Sequence, residues 1–285
     1  MTVPIETVLA ISGTAVYGVA SVFAVASLMR VRKGNERIAS VLLVGGAVLL
    51  LALLGVRVFR AGGVPSFTQF DALAAYAVAL TGAHLLLNIY RYTRGTVAIL
   101  APYATLMLVY GLSAIGMEAG APPPVQGPWL VLHVLTAYAA YGVFTLASVN
   151  AAAYLVQDSN LKHKRFGVVW ERLPSLEALD HIMSRLMGVA FLLFTISIVF
   201  GFVLMRVSGG GDEWFTDPKV AATVATWILL AIFVHLRASS DRHGRGIALM
   251  AVAGLACLLF AFIGVHWVAN TVHDFLRITP GVRRP

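Results

Sequence analysis

The chain has 285 residues, of which 59% are hydrophobic and 12% charged, and its net charge is +8. A soluble domain is closer to half apolar and a quarter charged, and here the apolar residues fall in runs of about 18 or more, long enough to cross a bilayer. That excludes an ordinary water-soluble domain, and the absence of alternating apolar and polar positions excludes a β-barrel.

The apolar runs predict an all-α integral membrane protein, a single membrane domain over residues 1–285. It is expected to be a bundle of eight transmembrane helices at about 5–29, 38–59, 71–91, 97–117, 129–156, 182–206, 220–238 and 246–270. The opening "MTVPIE" lacks a basic stretch, so no cleavable signal peptide is expected. The first helix is followed by Arg30, Arg32, Lys33 and Arg37. The third helix carries His84, and Arg91 and Arg94 follow it. The fifth opens after "PPPVQGPW" and carries His133 near its start. After it comes the longest connection, 157–181, where "SLEALDHIMSRL" behind Pro174 reads as a short amphipathic helix leading into the sixth span. That connection is expected to lie at the interface, with docking of a cytoplasmic partner as its other use.

Between the sixth and seventh spans lies "GGGDEWFTDPK", residues 209–219, with acidic and aromatic residues behind a glycine run. The seventh helix carries His235, and the eighth ends in "GVHWVANTVHDF", with His266 and His273 seven residues apart. That spacing puts both on one face if the helix continues. The lone cysteine, Cys257, lies in an apolar run, so no disulfide and no CxxC motif can form.

The loops after the first, third, fifth and seventh helices hold 14 of the Lys and Arg residues, and the other side holds 7. These positions at helix ends set topology, so the basic charge is no sign of nucleic-acid binding. The positive-inside rule places the richer side in the cytoplasm and both termini outside, with the 209–219 loop also outside.

Histidines inside a membrane are costly and mark function. Counted at about 1.5 Å per residue from the outer helix ends, His84 and His235 lie at similar depth, about 20 Å down in the cytoplasmic half. His133 and the pair His266 and His273 sit near the outer face, on either side of the 209–219 loop. A protein zinc site wants a third or fourth ligand, which Asp212, Glu213 and Asp217 could supply only on the outer side. Haem takes two axial histidines and suits aromatic walls, so it fits both depths. A proton relay through His84 and His235 is a third use of the same residues.

Several blocks carry a family resemblance: "LHVLTAYAAYGVF", "RLPSLEALDHIMSRLMGVAFLLFTISIVFG", "TWILLAIFVHLRASSDRHGRGIALMAVAG" and "FIGVHWVANTVH". In this order the chain resembles the CcsA/CcmC-type cytochrome c assembly proteins, and especially their HemX-like branch. The resemblance implies a protein of the bacterial inner (cytoplasmic) membrane that binds haem b non-covalently. It implies an external loop of the form W-x-W-D-x-K-E lying against haem between two ligating histidines. Trp214, Phe215, Asp217 and Lys219 fall in that loop, and His133 and His273 match the histidines, with His266 as the neighbouring candidate. An inner haem site would fall to His84 and His235. The motif here reads W-F-T-D-P-K-V, without the second tryptophan and the glutamate. It therefore favours a haem chaperone or transporter over a complete cytochrome c synthetase. Other assembly subunits or an apocytochrome are the implied partners. The two other readings are a HemX-like regulator of tetrapyrrole synthesis and a non-haem transporter or proton relay.

Overall fold

The computed structural model describes residues 4–29, 34–62, 68–89, 95–113, 127–209, 215–240 and 243–268, with only the backbone at Ser240 and His266. Every described element is helical: α1 (Ile5–Leu28), α2 (Asn35–Ala61), α3 (Gln69–Ile89), α4 (Val97–Leu112) and α5 (Pro128–Lys162). A short α6 (Val168–Arg172) follows, then α7 (Leu176–Val207), α8 (Pro218–Ser240), α9 (Arg245–Leu259), a π-helical turn (Phe260–Gly264) and α10 (Val265–Val268).

Local chemistry explains most of the starts and stops. Thr68 and Asp71 form a reciprocal cap on α3: the Thr68 amide donates to the Asp71 carboxylate at 2.8 Å, and the Asp71 amide donates to Thr68 Oγ1 at 3.2 Å. Pro128 supplies the first turn of α5, where its missing N–H is harmless. Ser175, behind Pro174, accepts from the Ala178 amide and starts α7. Asp217 does the same for α8, accepting from the Lys219 amide at 2.9 Å and the Val220 amide at 3.1 Å.

Seven helices are long and apolar enough to cross a membrane, and α4, at 16 residues, is shorter. The expected fourth span reached residue 117, and its last residues lie outside the described ones. Two spans run further than their apolar stretches. α5 continues to Lys162, where Lys162 pairs with Asp158 one turn back at 2.9 Å. The amphipathic segment after Pro174 is not a separate helix but the first turns of α7.

The spans pack as two halves. One core joins α1 to α4, with Tyr17, Leu43, Leu50, Phe70, Leu80 and Leu100 fully buried. The other joins α5, α7, α8 and α9 around Phe144, Met183, Met187, Phe194 and Phe233. α5 belongs to both: Leu146 and Val149 face the first core, while Phe144 and Ala147 face the second. α3 and α5 meet closely at Gly142, where a Cβ would stand 2.7 Å from the Ala79 carbonyl carbon. Small residues permit such backbone approach between helices in a membrane.

Hydroxyls inside the bundle are satisfied, as a bilayer requires. Tyr17 reaches Thr81 at 2.6 Å, Ser21 reaches Thr105 at 2.8 Å, and Ser148 donates to the Ala251 carbonyl at 3.0 Å. At one end of the bundle Arg57 meets Asp71 at 2.9 Å and Arg60 pairs with Glu6. At the other, Asp180 accepts from Arg237 at 3.0 Å and from His243 at 2.6 Å. There too the Gly95 amide donates to Glu36, and Gly95 packs against the Arg172 carbonyl.

Candidate functional site

An apolar cavity of about 260 Å³ opens where the start of α5, the end of α7 and the start of α8 converge. His133 and Tyr141 line it from α5, Phe194, Ser197 and Phe202 from α7, and Phe215 and Lys219 from the α8 side. Two features bring these residues together. α5 and α7 run antiparallel along their length, so the beginning of one meets the end of the other. Asp217 then turns the chain into α8 and leaves Phe215 and Lys219 at the rim.

His133 is held against α7. Its Nδ1 lies 2.9 Å from the Ser197 carbonyl oxygen and 3.4 Å from Ser197 Oγ. A carbonyl can only accept, so Nδ1 is the protonated nitrogen and the lone pair resides on Nε2. That is the tautomer a metal-ligating histidine adopts when its second nitrogen donates to a carbonyl. Lys219 is largely buried, at 9% exposure, with its ammonium 6.0 Å from the centre of the Phe262 ring. Phe262 in turn sits among Tyr76, Tyr138 and Tyr141, with ring centres 5.5 to 6.1 Å apart. The cavity therefore adjoins an aromatic cluster that links the two halves of the bundle. The π-helical turn that carries Phe262 is of a kind often found at functional sites.

The expected site residues divide by place. His133, Phe215 and Lys219 come together at the cavity. Asp217 stands next to it, and its described bonds cap α8. Trp214 and His273 lie outside the described residues, as does the His266 side chain. His84 is 1% exposed and faces α2, with Nε2 3.3 Å from Ser40 Oγ. Its Nδ1 is buried without a hydrogen-bond partner. His235 is exposed on α8 in the other half of the bundle. Among the described residues no three His, Cys, Asp or Glu side chains converge in a way that could hold a metal ion.

Sequence reasoning passed over Ser197, Phe194, Phe202, Gly201 and Tyr141. Ser197 and Gly201 are two small residues four apart on one helix face, but Ser184 and Gly188 repeat that spacing on the same helix, so the pattern singles out neither. Nothing in the sequence says that they face His133.

The cavity's composition suits haem. It has aromatic and aliphatic walls, one imidazole with its lone pair on the ring nitrogen a metal would take, and one cation near the rim. Comparison with known proteins places the chain in a family. The description of the family "Cytochrome C assembly protein" matches residues 67–273. The chain is 25% identical over 281 residues to the "Cytochrome c biogenesis protein CcsA" of Porphyra purpurea, covering 85% of this chain and 88% of that protein. It is 24% identical over 292 residues to the protein of the same name from Synechococcus sp. (strain JA-2-3B'a(2-13)), covering 82% and 83%. The CcsA protein of Mesostigma viride is 25% identical over 251 residues, covering 80% and 82%.

Proposed function

The chain belongs to the cytochrome c assembly protein family, and we propose that it binds haem b non-covalently at the α5–α7–α8 cavity in the service of cytochrome c assembly. The observation that carries this reading is His133: its ring lines an apolar cavity while its Nδ1 is committed to the Ser197 carbonyl. When bound, haem would supply an iron that imidazole nitrogen can ligate. Every other contribution comes from the chain. His133 would offer Nε2 as one ligand to the iron, and His273 is the proposed second. Tyr141, Phe194, Phe202 and Phe215 provide the walls, and Trp214 is proposed to join them. Lys219 and the exposed Arg206 provide positive charge for the propionates. The apolar walls exclude water from the ring faces, which strengthens each of these charge contacts.

The reading extends to location. The basic end of the bundle faces the cytoplasm of a bacterial inner membrane, and the His133 cavity faces outward. Haem then leaves the protein towards an apocytochrome or another assembly subunit on the outer side. An inner station at His84 and His235 is a separate, earlier step in this reading.

The test is the absorption spectrum of the purified full-length protein. A Soret band is expected in the native protein, and His133→Ala should remove it or shift it towards a five-coordinate form. A native protein without a Soret band after loading with haemin sinks the reading. An unchanged spectrum in His133→Ala removes His133 from it.

A further inference from the structure

We propose that Ser197 and Gly201 form a backbone notch on α7 that seats the His133 imidazole and sets its strength as an iron ligand. The proposal rests on the haem-binding reading above and assigns the positioning residues of that site. Ser197 and Gly201 are four residues apart and so lie one above the other on a single face of α7. The Ser197 carbonyl accepts from His133 Nδ1 at 2.9 Å. In a helix the same carbonyl accepts the amide of the residue four positions on, here Gly201. An oxygen with two lone pairs serves both donors.

The ring then lies over the bare Cα of Gly201. A Cβ built there would stand 3.0 Å from His133 Cε1 and 3.1 Å from Nδ1. Carbon atoms meet comfortably at about 3.5 Å or more, so any other residue at 201 makes the ring give way by a few tenths of an ångström and disturbs its seat on the Ser197 carbonyl. Glycine is disfavoured in a helix interior relative to alanine. At this position its lack of a side chain is what admits the imidazole.

Two consequences follow for a ligand. The hydrogen bond fixes which nitrogen carries the proton, and donation to a carbonyl makes Nε2 more basic. The glycine floor and the carbonyl together fix the tilt of the ring. Gly201 also lines the cavity, and its effect on the iron's potential is exerted through His133.

The experiment compares full-length native protein with Gly201→Ala and Gly188→Ala in detergent, with haemin as the probe. Gly188 is the control because it is on the same helix and a Cβ there meets nothing within 4 Å. Haem affinity, the midpoint potential of the bound iron and thermal stability are read for each. Gly201→Ala should bind haemin about tenfold more weakly, as loss of a ligand's supporting contact commonly does. Its potential should move in the positive direction, since a less basic imidazole stabilises ferric iron less. Gly188→Ala should match the native protein on both. Native affinity and potential in Gly201→Ala overturn the notch while leaving the haem reading intact. A native protein that binds no haemin removes both.

Should Gly201→Ala fail to accumulate, the double variant Gly201→Ala with His133→Gly removes the clashing ring. Recovery of accumulation in the double variant supports the notch. Continued loss shows that Gly201 serves helix packing instead, and overturns it.

Discussion

Asp217 shows how one residue can serve a local structure and stand beside a site at once. Its carboxylate accepts from the amides of Lys219 and Val220, so it closes the first turn of α8. The turn it closes carries Phe215 to the cavity rim and Lys219 beneath Phe262. Replacement of an N-cap aspartate by alanine costs about 1 kcal/mol. Asp217→Ala should therefore lower the thermal midpoint in detergent by a few degrees, while Asp217→Asn, which keeps an accepting oxygen, should stay near the native value. Equal losses in the two variants would show that charge, not capping, is what the position supplies. The residue itself was legible in the sequence, since an acidic residue before Pro218 and an apolar run marks a helix start. The contact of Lys219 with Phe262 was not, because the two lie 43 positions apart in the chain.

Elements follow hydropathy in their middles and local chemistry at their ends. The fifth span was expected to stop at 156, where polar residues begin, yet α5 continues to Lys162. Apolar periodicity reports what lipid and core require, and it falls silent once a helix leaves the bilayer. There the Asp158 and Lys162 pair carries the helix on. α7 extends likewise at its start, because Ser175 caps it upstream of the apolar run. Packing between elements depends on features that periodicity does not report. A Cβ at Gly142 would stand 2.7 to 2.8 Å from the backbone of Ala79 and Leu80, and backbone cannot swing aside as a side chain can. Gly142→Ala should separate α3 from α5 and destabilise the protein by about 1–3 kcal/mol, the usual range for overpacking. A thermal midpoint in Gly142→Ala equal to that of the native protein would mean that the two helices do not meet this closely in the membrane.

At the scale of the molecule, two four-helix halves share α5, and their connections sort by charge. The described residues place Lys162, Arg172, Arg237 and Arg245 at one end, and Arg57, Arg60 and Lys219 at the other. The protein has a single cysteine, so Cys257→Ser leaves a background for site-directed labelling. In that background Thr216→Cys should react with an impermeant maleimide added to the outside of intact cells. Lys164→Cys should react only after the membrane is opened. Labelling of both from one side would overturn the topology, and the reverse pattern would invert it.

The membrane class, the order of the spans and the family were determined by the sequence by itself. Long apolar runs have no other stable use than burial in lipid or in each other, and the blocks around His133, Asp180, His235 and His266 occur in a recognisable order. His133 was legible too, as a polar side chain near the outer end of a span. Only the tertiary structure decided what surrounds it. The Ser197 carbonyl, the floor at Gly201 and the Phe194 wall come from a helix more than 60 residues away, brought there by antiparallel packing. For His84 and His235 the depth follows from counting residues along a helix, whereas the direction each faces, His84 buried on α3 and His235 exposed on α8, depends on which helices pack around it.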